Sequence, residues 1–314
     1  QINPISCDFD SYKNSARSFE VLALTQRLKE KASGKLIIAR AERTELTKGI
    51  VEGFEAYREF LKMYPRWKDK VAFICWLVPS RLNIPLYKEM TSQIKNLVLQ
   101  INREFSPGVP WNGIIETEED WQASFNKQWP CAIVNLVSRK EWIALCLASD
   151  IALVNSLQDG MNLVVKIFSA LNDPAMIKEA NQCLRDIYQD QALILQPASV
   201  IASRNMGAFM EVNTGAIGIN PYDKEETVRA LYQAVTMSLE ERSLRASQAA
   251  TQVANNTLFD WIRRLLNTGR TELSQNQLEG LVGSSSVLGI KENEKQLGSV
   301  VNIVMWASSA SPIE

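Results

Sequence analysis

The chain has 314 residues, 46% hydrophobic and 22% charged, with a formal net charge of −1: a soluble globular composition with room for a sizeable core. So small a charge excludes a global field that gathers nucleic acid or an anionic membrane, and the apolar runs are too short to cross a bilayer. The histidine count is 0, which excludes Ser-His triads, imidazole acid–base catalysis and His-ligated metal within this chain.

In chain order, residues 1–20 read as a linker between domains, with turn signals at Asn3-Pro4 and Lys13-Asn14-Ser15. A helix is predicted over Phe19–Ala32, closed by Gly34. A short buried strand follows at 36–39, with a polar exit from Arg40 to Thr47. Ile50, Phe54, Tyr57, Phe60 and Leu61 recur at helical spacing and predict a helix over 48–63. Val71–Val78 reads as a strand, and a long helix after Pro85 turns Ile94, Leu97, Leu99 and Ile101 inward. Residues 106–130 are loop-rich, and their Trp111, Trp121 and Trp129 read mostly as core.

Further strands are predicted at 131–137, Ile151–Val154, 192–195 and 216–219, and helices at 140–148 and 225–237. Leu163, Val164, Ile167 and Phe168 mark another helix, and a polar helical insertion spans 174–191. One or two helices cover 239–266, with Trp261, Ile262 and Leu265 as the buried face. From Thr268 the composition turns to Ser, Gly, Asn and Gln, so 268–314 reads as a polar tail and 21–267 as the domain. Five scattered cysteines without a C-x-x-C pair indicate reduced thiols in a cytoplasmic protein.

Strands alternating with helices predict an α/β fold with a Rossmann-like, doubly wound parallel sheet and a helical C-terminal segment. Ligands sit outside the C-terminal strand ends of such sheets. Three polar clusters fall there: Arg43 to Lys48, Pro79 to Arg81, and Gln158 to Asn162. The stretch from Ile151 to Phe168 reads as strand, tight turn, helix, a geometry whose backbone N–H groups point at an anion. Gly160 lets a ligand approach the backbone, and Asp159 is placed to accept hydrogen bonds from hydroxyls. The same turn fits a plain αβ loop in which Asp159 or Asn162 only caps the helix. Arg43 and Lys48 pair a guanidinium fork with a point charge, as a diphosphate requires, although both also fit solvated cations at a helix start. Cations there oppose the helix dipole, and an anionic ligand relieves that conflict. Lys166 reads as a solvated helix residue unless it turns back toward the phosphates.

With these residues in view the chain resembles the trehalose-6-phosphate synthase family. Arg43-Thr-Glu45-Leu-Thr-Lys48-Gly49-Ile50 is similar to that family's R-x-D-x-x-K-G-I, and Val78-Pro79-Ser80-Arg81 to its V-P-S-R. Asp159-Gly160-Met161-Asn162-Leu163-Val164 matches D-G-M-N-L-V, and Asn220-Pro221-Tyr222-Asp223 matches N-P-Y-D. The resemblance covers residues 1–268 and implies the C-terminal, donor-binding half of a two-domain GT-B glycosyltransferase that retains configuration. It implies UDP-glucose as donor substrate, glucose-6-phosphate as acceptor, and neither cofactor nor metal.

By the same resemblance Arg43 and Lys48 act catalytically on the leaving diphosphate. Asp159, Gly160, Met161 and Asn162 hold the donor glucose, the amides of Leu163 and Val164 hold its phosphates, and Arg81 meets the acceptor phosphate. Some positions depart from the pattern. Ile167 stands where the family has a ribose-binding Glu, a loss on the order of 1.5–3 kcal/mol of donor binding. Gln158 and Asn135 stand where Arg is common, and Gln196-Pro197-Ala198-Ser199-Val200 replaces an S-E-F-A-G segment. The matched region corresponds to the family's second domain, so the resemblance implies a further domain or a partner chain that supplies the acceptor contacts. The alternative function is a non-catalytic, regulatory subunit of a trehalose synthase complex.

Overall fold

The computed structural model describes residues 3–135 and 138–272, of which 263–272 belong to a second compact unit. Six strands form one parallel sheet: β1 (Leu36–Arg43), β2 (Val71–Val78), β3 (Ala132–Asn135), β4 (Ile151–Val154), β5 (Ser199–Ser203) and β6 (Ile217–Ile219). Their order is β3-β2-β1-β4-β5-β6, so the winding reverses between β1 and β4. A doubly wound sheet opens its ligand crevice at that reversal.

The pleat sends alternate residues to opposite faces. Ile37, Ala39 and Ala41 enter one apolar core and Ile38 the other. The first core is covered by α1 (Phe9–Ala16), α2 (Phe19–Ala32), α6 (Arg139–Ala148), α7 (Leu163–Leu171), α8 (Pro174–Tyr188) and α10 (Leu239–Ala254). The second lies under α3 (Ile50–Met63), α4 (Pro85–Phe105) and α9 (Lys224–Thr236). A short helix α5 (Glu118–Ser124) buries Trp121 beside Trp129, and α11 covers Leu258–Glu272. Among the described residues no helix is long and apolar enough to cross a membrane.

Several expectations need correction. Residues 9–16 are helical: the Asp8 carboxylate accepts from the Ser11 amide, and Phe9 and Ala16 are buried. β1 runs on to Arg43, with the polar Arg40 and Glu42 buried inside it. In α4 the inward residue is Val98, and Leu99 is only half-buried. The run 192–195 is not a strand. The Leu193 amide donates to Gln26 Oε1 at 3.0 Å and the Leu195 amide to Asn181 Oδ1 at 2.8 Å, so side chains satisfy this backbone while Ile194 is exposed.

The late strand is β5, seven residues further along the chain. Ser199 and Val200, the end of the segment read as following the strand, are therefore its first two residues. Of the buried face expected at the C-terminal end of the first unit, Ile262 is buried and Trp261 half-buried. The tail predicted over 268–314 is helical through Glu272, and its remainder lies outside the described residues, as do residues 136 and 137 of the third strand.

Candidate functional site

β1 and β4 deliver their following turns to the same point, the edge where the winding reverses. After β1 the chain makes a single tight helical turn at Leu46–Lys48, then passes through Gly49 at φ +64° into α3. A Cβ on Gly49 would lie 2.3 Å from the Asn155 carbonyl oxygen, so only glycine permits this approach. The Leu157 amide donates to the Thr47 carbonyl at 2.8 Å, which joins the turn after β1 to the turn after β4.

Lys48 Nζ sits 2.6 Å from Asp159 Oδ2 and 3.2 Å from Glu42 Oε2. The Asn162 amide donates to Glu42 Oε1 at 3.1 Å and to Asp159 Oδ2 at 3.0 Å, and it also reaches Ser156 Oγ at 3.3 Å. Burial pushes the Glu42 carboxyl up from its ordinary value, while Lys48, Arg40 and the Asn162 amide pull it back. Burial opposes the Lys48 charge too, but Glu42 and Asp159 outweigh it and raise the ammonium. Removing one member of such an interior ion pair costs about 3–5 kcal/mol, because its partner is left charged and dry.

Asn162 has a second task. Its Oδ1 accepts from the Val165 amide at 3.3 Å and caps α7. The Leu163 and Val164 amides in that first turn have no intrahelical acceptor and point out of the helix end with its positive dipole. Asp159 is fixed from the β5 side. Its amide donates to the Asn205 carbonyl at 3.3 Å, and the Gly207 amide donates to its carbonyl at 3.2 Å. A Cβ on Gly207 would meet the Gly160 carbonyl at 2.2 Å, whereas a Cβ on Gly160 would meet nothing within 4 Å. Gly160 therefore faces open space, and Met161, Leu163 and Val164 are half-buried around it.

The expected site residues thus divide. Lys48, Asp159 and Asn162 meet directly, with Gly160, Met161, Leu163 and Val164 on the same turn. Arg43 and Arg81 stand at the same edge, since Arg43 pairs in register with Val78, but neither guanidinium is tied to that group. Arg43 is 63% exposed in its side chain and pairs with Glu45 at 2.7 Å. Arg81 holds a left-handed φ of +51° and donates to the Tyr87 hydroxyl at 3.1 Å. Lys166 is neither solvated nor turned to the cleft. It is fully buried, 2.8 Å from Glu211 Oε2 and 2.8 Å from the Ile5 carbonyl. Ile167 is 5% exposed and belongs to the apolar core on the α7 face.

Sequence reading missed Arg40, Glu42, Asn155 and Ser156, all buried beneath the cleft. Their one signal was polar residues inside or directly after uniform strand runs. A separate open hollow of about 750 Å³ between α3 and α4, lined by residues such as Arg58, Lys62 and Gln93, lies on a helical face and carries no comparable convergence.

The sequence matches glycosyltransferase family 20 over residues 1–270. It is 28% identical over 260 residues to the probable alpha,alpha-trehalose-phosphate synthase (UDP-forming) 2 of Arabidopsis thaliana, covering 82% of this chain and 27% of that one. It is 27% identical to the trehalose-6-phosphate synthase of Klebsiella pneumoniae, covering 85% of this chain and 48% of the relative. Among solved structures it is similar to an E. coli trehalose-6-phosphate chain bound with UDP-2-fluoro glucose, at TM-score 0.67 and 25% identity over 85% of this chain and 51% of that one. A UDP-forming synthase from Burkholderia vietnamiensis shares the fold at TM-score 0.68. The chain spans between about a quarter and half of the length of these relatives.

Proposed function

The chain belongs to glycosyltransferase family 20, and from that premise we propose that it carries the nucleotide-sugar-binding unit of an enzyme moving glucose from UDP-glucose to glucose-6-phosphate with retention. The observation that carries this reading is the meeting of Lys48 and Asp159, 2.6 Å apart beside the N-terminus of α7 at the sheet's switch point. Lys48 and the first-turn amides of Leu163 and Val164 take the donor diphosphate, and Arg43 closes over it from the exposed edge. As the bond to the sugar breaks, negative charge grows on the departing phosphate. Fixed donors in a partly dry cleft stabilise that charge without any imidazole.

Asp159 turns to the glucose hydroxyls, held in place by Asn162 and the Gly207 amide, and Gly160 keeps the approach open. Arg81 stands on the neighbouring strand end for the acceptor phosphate. The E. coli structure bound with UDP-2-fluoro glucose supports a nucleotide sugar as ligand. We propose that the remaining acceptor contacts are supplied by a further domain or chain.

Calorimetric titration of the chain with UDP and UDP-glucose, alongside Lys48→Ala, tests the reading. The unaltered chain binds UDP, and the variant binds it about 10-fold to 100-fold more weakly, the loss expected for one charge-assisted contact. Equal binding by both removes Lys48 from the phosphate site, and no binding by the unaltered chain sinks the reading.

A further inference from the structure

Beneath the cleft a second cation, Arg40, touches nothing that a ligand could reach. Its side chain rises from β1 on the face covered by α3 and is fully buried. One guanidinium nitrogen donates to the Gly49 carbonyl at 3.1 Å and to Asn155 Oδ1, and the other donates to the Lys48 carbonyl. Asn155 returns its own amide to the same Gly49 carbonyl at 2.9 Å. The Lys48 and Gly49 carbonyls, the peptide oxygens either side of the left-handed residue, are therefore both held by one planar fork.

Room for that fork comes from Gly53 on the first turns of α3. A Cβ there would lie 2.4 Å from Arg40 Nη1 and 3.0 Å from Asn155 Oδ1. A buried charge is expensive unless its donors are used; here both terminal nitrogens are used, on Asn155 and on the backbone of one particular turn, while Nε stays buried without an acceptor. Lysine at position 40 would keep the charge and lose the fork, because an ammonium cannot offer two parallel donors in a plane.

We infer that Arg40 is a positioning residue for Lys48: it clamps the Lys48–Gly49 backbone so that the lysine ammonium is presented to the cleft, bridging Glu42 and Asp159. This rests on the proposed role of Lys48 in holding the donor diphosphate. The clamp itself is independent of any ligand, and the two are tested apart.

The first measurement is residue-resolved acetylation of native protein with limiting acetic anhydride, comparing Lys48 with Lys29, which pairs with the buried Asp150 at 3.2 Å. In Arg40→Lys and in Gly53→Ala, Lys48 labels at least about 3-fold faster than in the unaltered chain, while Lys29 is unchanged. Gly53→Ala keeps every charge and adds a good helix former, so it serves where Arg40→Lys folds poorly. A rise at both lysines indicates general loosening and overturns the inference, as does no rise at Lys48 in Gly53→Ala.

The second measurement is a cycle of UDP affinities with Gly53→Ala and Lys48→Ala. Gly53→Ala weakens UDP about 10-fold when Lys48 is present and less than about 2-fold when position 48 is alanine, since a positioning residue acts through its client. An equal loss in both backgrounds overturns the inference. If Lys48→Ala alone leaves UDP affinity unchanged, the diphosphate role of Lys48 fails, and the acetylation result still decides the clamp.

Discussion

The ammonium of Lys48 and the carboxylate of Asp159 meet 2.6 Å apart although 111 positions separate them in the chain. Each comes from a different strand–helix unit, on the two sides of the point where the winding reverses. The contact therefore forms only once β1 and β4 lie side by side in parallel.

That pair carries a pH signature. Glu42 and Asp159 raise Lys48 above its ordinary value of 10.5 against the opposing effect of burial. The native state then keeps a proton that the unfolded chain gives up. The stabilisation is complete below 10.5 and is lost as pH rises through the raised value. The difference in urea unfolding free energy between the unaltered chain and Lys48→Met should shrink from about pH 9 to about pH 11.5. A constant difference over that interval refutes the coupling.

Two glycines in the site should respond in opposite ways to alanine. Gly49→Ala places a Cβ at φ +64° and 2.3 Å from the Asn155 carbonyl, costing about 2 kcal/mol or more of stability. Gly160→Ala meets nothing within 4 Å and leaves stability nearly unchanged, yet it narrows the approach to the cleft and weakens UDP-glucose binding. Thermal unfolding paired with calorimetry checks both. A stable Gly49→Ala, or a Gly160→Ala that binds like the unaltered chain, contradicts the geometry.

Uniform apolar runs were legible: β2 and β4 fall where Val71–Val78 and Ile151–Val154 were expected, since a strand buried on both faces needs no polar alternation. Runs of mixed character were not. Ala192-Leu-Ile-Leu195 has a strand's composition, but Gln26 and Asn181 supply its hydrogen bonds, and no local pattern reports partners 167 and 14 positions away. β1 looked finished at Ala39 because Arg40 and Glu42 resemble a solvent-facing exit. Only the tertiary setting shows backbone carbonyls and Lys48 waiting for them. The motifs located Lys48 and Asp159, and the residues that hold them in place carried no motif.

Ile167→Glu should destabilise the chain. The side chain is 5% exposed within the apolar core, so a carboxylate there is buried without a partner, a loss on the order of 2–4 kcal/mol. A lowered urea midpoint with unchanged UDP affinity is expected. A variant as stable as the parent that binds UDP more tightly would show this position turning to the nucleotide after all.

Thiol chemistry offers an independent check on the core. Burial pushes the Cys7 thiol up to about 12 and Cys131 up to about 11, and raises Cys75 and Cys146 as well. Only Cys183 is half-buried. Titration of the native protein with a disulfide reagent near pH 8 should therefore modify Cys183 rapidly and the other four only on unfolding. Two or more fast thiols would contradict the packing around them.

In the cleft one ammonium, Lys48, is shared between two carboxylates, Glu42 and Asp159. An arriving phosphate competes with Asp159 and Glu42 for the ammonium of Lys48. On the proposed reading, a ligand that brings phosphate alone draws on that ammonium and offers Asp159 nothing in return, whereas one that brings phosphate and sugar hydroxyls together offers Asp159 new donors. With the roles proposed for Lys48 and Asp159, that single salt bridge would favour a nucleotide carrying its sugar over one that has lost it.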